Sequence, residues 1–327
     1  TFTVTTGHQL CLFTGPLYFI YKIISTINLA EELKSKYPSK NFVPVFWLAS
    51  EDHDLEEVNH INLFGKTIRW KTKQKGPVGS LDMTGINDVL KELKSVLGES
   101  KNAQDLIHLF SEAYLKNKNL ADATRYIIND LFGQYGLLII DGDDYRLKKI
   151  FIPVIKKDIL QQGFQKAISS CSSGLVMKYK KSQAFVRSIN FFRLTKNNRV
   201  RVEKVVSEKE IENNPERFSP NVLLRPLYQE MILPNLAYVG GGSELSYWMQ
   251  LKTVFDQEGI PFPILVLRNS VLWIQDNQFK KIKQLDLSIY DIFLEVHDLH
   301  KKYVLNFSEH KFSLEKEVED LKKIFRS

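Results

Sequence analysis

Cysteine is scarce in this sequence: Cys11 and Cys171 are the only two among 327 residues. Two thiols so far apart supply neither a disulfide framework nor a thiolate metal site, and their scarcity fits a reducing, cytoplasmic compartment. Long apolar runs are missing as well. No stretch reaches the roughly 18 residues of a spanning helix, so no membrane association is expected. No signal peptide is visible. The chain opens on Thr1 rather than methionine and stops within a helical periodicity, so a piece of a longer protein is expected. The sequence contains no P-loop, no GxSxG elbow and no paired-cysteine motif. GxGxxG is also absent from the first turn, GHQLCLFTG, which excludes the usual nicotinamide fingerprint.

What is present is an ordinary globular composition. Hydrophobic residues make up 43% and charged residues 25%, enough to bury one large core or two smaller ones. A net charge of +7 favours anionic small molecules such as nucleotides and carboxylates. The basic residues are spread rather than blocked, which argues against nucleic acid as a partner.

The pattern along the chain predicts an α/β fold with a Rossmann-like parallel sheet. Phe2 to Thr6 alternate as a strand, Pro16 opens a helix, and Val43 to Ala49 form a buried strand. Residues 1–60 are thus the first part of a core, and a mainly helical insertion is expected over 61–134. Residues 135–159 return to the core with a strand at Leu137 to Asp141. A second insertion is expected over 160–213, with Ser169 to Gly174 as a flexible loop and Phe185 to Val206 as a meander. The last core part, 214–275, carries strands at Val222 to Leu224, Leu236 to Val239 and Ile264 to Leu267. Its helix from Glu244 to Glu258 is expected to be capped by Ser243. Over 276–327, apolar residues at three- and four-residue steps predict a coiled-coil arm that pairs two copies, or else a helix packed on its own core.

Ligands in open α/β sheets bind beyond the carboxyl ends of strands, so polar clusters there are the site candidates. His8 and Gln9 follow the first strand, with Gly15 in its turn. Glu51, Asp52, His53 and Asp54 follow the second, where helix capping alone accounts for some of the acids but not for Asp-His-Asp. Asp141 to Asp144 follow the third. Gly240, Gly241, Gly242 and Glu244 follow a later strand, either as a close backbone approach to a ligand or as a tight packing turn. Arg225 and Arg268 suit carboxylates or phosphates, or pair with local acids. His53, Glu56, Glu57 and His60 share one face if helical and then suit a divalent metal, yet no closed ligand motif accompanies them. No metal is assigned.

Three runs carry a resemblance: TTGHQLCLFTGPLYFIYKIIS, PVFWLASEDHDLEEVNH and NPERFSPNVLLRPLYQEMILPNLAYVGGGSELSYWMQLK. In order and over about residues 1–275, they look like the cysteine-adding enzymes of bacillithiol biosynthesis; residues 160–206 match poorly. The resemblance implies a Rossmann-like core with two connecting-peptide insertions and a C-terminal coiled coil that makes a homodimer. It implies further residues before Thr1 and a longer coiled coil, and a ligase joining cysteine to the amine of glucosaminyl malate. Forming that amide needs an activated carboxylate, most simply through ATP and a cysteinyl adenylate. His8 and Gln9 would then meet phosphates, and Asp52, His53 or Asp54 would bind the amine or act as base. Glu244 and the glycine turn would shape the pocket, and Arg225 or Arg268 would hold malate carboxylates. Two alternatives from other classes stay open: a non-catalytic dimeric nucleotide-binding or assembly protein, and a metal-dependent hydrolase built on His53 and its neighbouring acids.

Overall fold

The computed structural model describes residues 1–307 and 315–325. Residues 1–270 form one compact unit and 271–327 a second. The first opens with β1 (Phe2–His8), α1 (Leu17–Lys36) and β2 (Phe42–Leu48), followed by a one-turn helix α2 (Leu55–Val58). A hairpin, β3 (His60–Leu63) and β4 (Lys66–Arg69), leads into three amphipathic helices, α3 (Ile86–Leu97), α4 (Lys101–Lys116) and α5 (Leu120–Phe132). Then come β5 (Leu138–Asp141), α6 (Tyr145–Gln161) and α7 (Gln165–Tyr179). A small antiparallel sheet of order β7-β6-β8 follows, made of β6 (Phe191–Thr195), β7 (Asn198–Arg201) and β8 (Phe218–Pro220), with α8 (Glu208–Asn213) between β7 and β8. The unit closes with α9 (Arg225–Ile232), β9 (Asn235–Gly240), α10 (Gly242–Trp248), α11 (Lys252–Glu258) and β10 (Ile264–Leu267).

The main sheet has the order β10-β9-β1-β2-β5 and is parallel throughout. Strand placement runs outward from β1 to β2 and β5, then resumes on the other side with β9 and β10. This reversal opens a crevice at the carboxyl ends of β1 and β9, the switch point where doubly wound sheets bind ligands. Both faces of the sheet are covered, and the pleat of β2 shows why its sequence is a continuous apolar run. Phe46 and Leu48 enter the core that contains Phe19, Ile23 and Ile27 of α1. Trp47, pointing the other way, enters the core of Phe151, Tyr228, Tyr238 and Trp248.

Local expectations and structure differ at several places. Ser169 to Gly174 is not a loop but the middle of α7. Ser172 there accepts a hydrogen bond from Gln250 Nε2 (2.7 Å), and Cys171 Sγ donates to the Met249 carbonyl (3.2 Å). Tertiary packing of small side chains overrides their weak helix propensity. Val222 to Leu224 is a turn rather than a strand, the nearby strand being β8. Asn221 Oδ1 accepts from the Leu223 and Leu224 amides (2.9 and 3.1 Å), an Asx turn that starts α9. Both leucines are buried, which is why the apolar run mimics a strand. Ser243 lies inside α10 and does not cap it; Gly241 is the N-cap, and Glu244 Oε2 accepts from its amide (3.2 Å). A 3-10 turn at Met249–Leu251 separates α10 from α11, so the expected single helix is interrupted. His53, Glu56, Glu57 and His60 do not share a helix face, because α2 spans only Leu55–Val58 and His60 belongs to β3.

In the second unit, α12 (Asp276–Gln284), α13 (Val296–Phe307) and α14 (Glu315–Ile324) are helical. Asp291 accepts from the Ser288 amide (2.8 Å) and from Lys302 Nζ (2.5 Å), fixing the start of α13 within that unit. No helix among the described residues is long and apolar enough to cross a membrane.

Candidate functional site

Three of the polar strand ends converge on one place. His8 and Gln9 beyond β1, Glu51 and Asp52 beyond β2, and Glu244 after β9 line a cavity of about 290 Å³ together with Arg225, Tyr238 and Arg199. It adjoins an outer cavity of about 790 Å³ that shares His8, Gln9, Arg199 and Glu244 and adds Lys22, Glu57, Arg187 and Arg201.

The floor is an ion pair carried across the switch point. Lys22 Nζ of α1 lies 2.7 Å from Glu244 Oε2 and also donates to the Gly7 carbonyl. Its side chain is 4% exposed. Burial pulls the Lys22 ammonium below its usual pKa, and the Glu244 charge only partly offsets this. Burial is the largest influence on Glu244 and pushes its carboxyl up, but Lys22, the Tyr238 hydroxyl and Arg225 together outweigh it and hold the carboxyl below its usual value. Tyr238 donates to Glu244 Oε1 at 2.5 Å, its own ionisation suppressed chiefly by burial. Each partner thus offsets part of the other's desolvation.

Beside it, burial and then the Lys22 charge lower the His8 pKa to about 4. The imidazole is neutral at pH 7. Its Nδ1 lies 3.0 Å from the Gln9 carbonyl; donation there leaves Nε2 as an acceptor. Tyr18 and Phe19 in the first turn of α1 pack 5.5 and 5.1 Å from the ring. Cys11 Sγ approaches Nδ1 at 3.7 Å, but burial pushes this thiol up to about 12, so it is not a nucleophile at neutral pH.

The acidic wall is held in place by its own bonds. Gln9 Nε2 donates to Asp52 Oδ2 (2.7 Å) and Glu57 Oε2 (2.5 Å). Glu51 pairs with Lys148 of α6, which is fully buried and also donates to the Phe218 carbonyl (2.8 Å). Asp141 accepts from Ser50, and Asp144 caps α6 by accepting from the Arg146 amide (2.8 Å). This third acidic strand end ties β5 to β2 and starts a helix.

Opposite stands Arg225. Its Nη1 donates to Gln229 Oε1 (3.1 Å), and its guanidinium lies over the rings of Tyr238 and Trp248. Nη2 is buried and makes no hydrogen bond of normal geometry. Tyr247, which lines the same cavity, interacts with the guanidinium through its hydroxyl. A buried guanidinium beside a cavity is suited to an oxyanion.

The other expected residues lie elsewhere. His53 and Asp54 line a separate cavity with Glu56 and Lys75; the His53 ring packs 5.8 Å from Phe192, and its Nδ1 lies 3.2 Å from Arg199 Nη1. Arg268 stacks 4.9 Å from the Tyr18 ring and lines neither of the two joined cavities. Gly240, Gly241 and Gly242 do not adopt positive φ. A Cβ at Gly240 would stand 2.8 Å from Leu245 and 3.1 Å from Glu244, so this glycine serves packing. Gly15 has φ +58°, and a Cβ there would meet Cys11 Cβ at 2.4 Å. It follows Phe13 and Thr14, which also have positive φ, in a turn anchored by the Phe13 amide donating to Tyr114 (2.8 Å). Among the described residues, no group of three or more His, Cys, Asp or Glu side chains is placed to hold a metal ion.

A family model described as "Bacillithiol biosynthesis BshC, N-terminal Rossmann-like domain" matches residues 1–269. The chain belongs to the BshC family. Relatives named "Putative cysteine ligase BshC" include one from Flavobacterium johnsoniae, 48% identical over all of this chain and 64% of its own length. Another, from Cytophaga hutchinsonii, is 40% identical over 97% of this chain and 62% of its own length. A third, from Bacillus cereus strain B4264, is 30% identical over 98% of this chain and 66% of its own length. The chain thus spans less than two thirds of the length of these BshC relatives. The doubly wound sheet of the structure is the Rossmann-like domain that the family model describes.

Sequence reasoning missed Lys22, Lys148, Arg199, Tyr238 and Tyr247. A signal existed for the two lysines. Lys22 stands at core spacing between Phe19, Ile23 and Thr26, all buried, and Lys148 does so with Phe151 and Ile155. A lysine on the apolar stripe of a helix marks a buried charge that needs a partner. Arg199 sits in a polar hairpin whose pattern says nothing about its neighbours.

Proposed function

We propose that this chain carries the substrate-binding core of a ligase that joins the carboxyl carbon of cysteine to the amine of glucosaminyl malate. The observation that carries this reading is the switch-point cavity itself, which the buried guanidinium of Arg225 lines together with Asp52 and Glu51. An oxyanion and an ammonium group can be held there at once. Membership of the BshC family and the names of its relatives support the substrate class.

In this reading ATP activates cysteine. A carboxylate oxygen attacks the α-phosphorus, pyrophosphate leaves, and a cysteinyl adenylate results. The sugar amine then attacks the carbonyl carbon, AMP departs, and the amine loses a proton to a base. His8, Gln9 and the first turn of α1 meet phosphate oxygens, with neutral His8 adding no charge of its own. Of the three acids and bases after β2, Asp52 faces the inner cavity and takes the amine or its proton. His53 and Asp54 would act from the neighbouring cavity, His53 through Arg199. Glu244 with Lys22 shapes the floor, and Arg225 holds a carboxylate or phosphate.

A homodimer formed by the tail is part of the same proposal: α13 and α14 expose Val304, Leu305, Val318 and Leu321. A complete protein that sediments as a monomer would refute that part.

The decisive experiment incubates the complete protein with cysteine and glucosaminyl malate, with and without ATP, and follows bacillithiol and AMP by mass. Product with stoichiometric AMP, abolished by Asp52→Ala, is expected. Product without ATP would overturn the adenylate step, and no product under any condition would overturn the ligase reading.

A further inference from the structure

The outer cavity has a basic rim that the roles above leave unused. Arg187 lies in the irregular segment before β6, and Arg201 ends β7, so they reach the cavity from two separate stretches beside the small sheet. Arg201 lies 4.7 Å from the Phe192 ring, which also carries Arg199 at 4.0 Å. Arg187 lies over Phe185 at 5.3 Å. Stacking on aromatic faces holds a guanidinium in place while leaving its hydrogen-bonding edge free.

The three arginines are not equivalent. Arg199 is committed: it donates to Ser219 Oγ (3.2 Å) and the Pro220 carbonyl (3.0 Å) and lies 3.7 Å from Asp52. Its side chain is 11% exposed, and it anchors the hairpin to β8. Arg187 and Arg201, among the described residues, make no ion pair and donate no side-chain hydrogen bond. The acids that share their cavity are already engaged, Glu57 by Gln9 and Glu244 by Lys22 and Tyr238. Glu203 attracts Arg201 through space but forms no ion pair with it, and Arg187 and Arg201 repel each other. Two such like charges at the mouth of a cavity are complementary to a ligand bearing two negative charges.

We propose that Arg187 and Arg201 form a subsite for the dicarboxylate of the amine substrate, the malyl group of glucosaminyl malate, and so determine specificity for a doubly charged aglycone. This rests on the ligase reading and deepens it. Phosphates are the other anions of that reaction, and they are served by the first turn of α1 and by His8 on the floor. Two guanidiniums on separate segments of the rim suit two carboxylates carried on one short chain. The inner cavity is thereby left to cysteine, and the sugar spans the distance between rim and floor.

The test is calorimetric titration of the complete protein with glucosaminyl malate, methyl glucosaminide and ATP. Wild type is compared with Arg187→Gln, Arg201→Gln, the double variant and Arg201→Lys. Loss of one charge-assisted contact predicts roughly tenfold weaker binding of glucosaminyl malate per substitution and about a hundredfold for the pair. Binding of methyl glucosaminide and ATP should stay within about twofold, and Arg201→Lys should recover part of the loss. Unchanged glucosaminyl malate binding in the double variant would overturn the subsite alone. Selective loss of ATP binding would overturn it in favour of a phosphate site. Wild type that fails to bind glucosaminyl malate would instead sink the ligase reading, and the subsite with it.

Discussion

Removing Glu244 tests the floor of the site most directly. In Glu244→Ala, Lys22 keeps only the Gly7 carbonyl as a partner, while its ammonium remains almost fully enclosed. The Tyr238 hydroxyl and the Gly241 amide lose their acceptor as well. Leaving one charge of a buried pair uncompensated costs about 3–5 kcal/mol. At a few degrees per kcal/mol for a unit of this size, the melting temperature should fall by roughly 10 °C. Urea unfolding of wild type, Glu244→Ala, Lys22→Met and the Lys22→Met/Glu244→Ala double variant completes a thermodynamic cycle. The double variant should regain at least about 2 kcal/mol over the sum of the single losses, because replacing both charges removes the uncompensated one. A loss below about 1 kcal/mol in Glu244→Ala, or strict additivity in the cycle, would refute the claim that the pair is desolvated and coupled.

Two further outcomes follow from the site. His8 has a folded-state pKa of about 4 against an ordinary 6.5, so folding favours its neutral form. Its contribution is complete above pH 6.5 and is lost as pH falls through 4, by about 3 kcal/mol in all. The stability difference between wild type and His8→Gln should shrink by that amount from pH 7 to pH 4, and a pH-independent difference would show that the ring is solvated. Gly15→Ala combines a left-handed backbone with a Cβ only 2.4 Å from Cys11. It should cost more than about 2 kcal/mol in chemical denaturation; a neutral effect would mean that the turn relaxes freely.

Much of the architecture was legible because its signals are local. The strands β1, β2, β5, β9 and β10 show as short alternating or apolar runs, and α3 to α5 as helical periodicity, since pleat and helix repeat impose those patterns on any half-buried segment. Legibility failed where a distant partner decided the outcome. The small-residue stretch Ser169 to Gly174 is helical because Gln250 and Met249 pack on it. The apolar Val222 to Leu224 is a turn because Asn221 bonds the amides that follow it.

The candidate site divides in the same way. That polar clusters stand at several strand ends is readable along the chain, since a short apolar run followed by charged residues is visible in one dimension. Which of them meet depends on the folded arrangement. Strand order puts β9 beside β1 and brings Glu244 to Lys22, 222 positions away. It places Asp52 in the inner cavity and leaves His53, the very next residue, in another. It also sets the charge of His8, which is neutral because burial lowers its pKa to about 4. Desolvation depends on what surrounds a group in space, and no spacing along the chain encodes it.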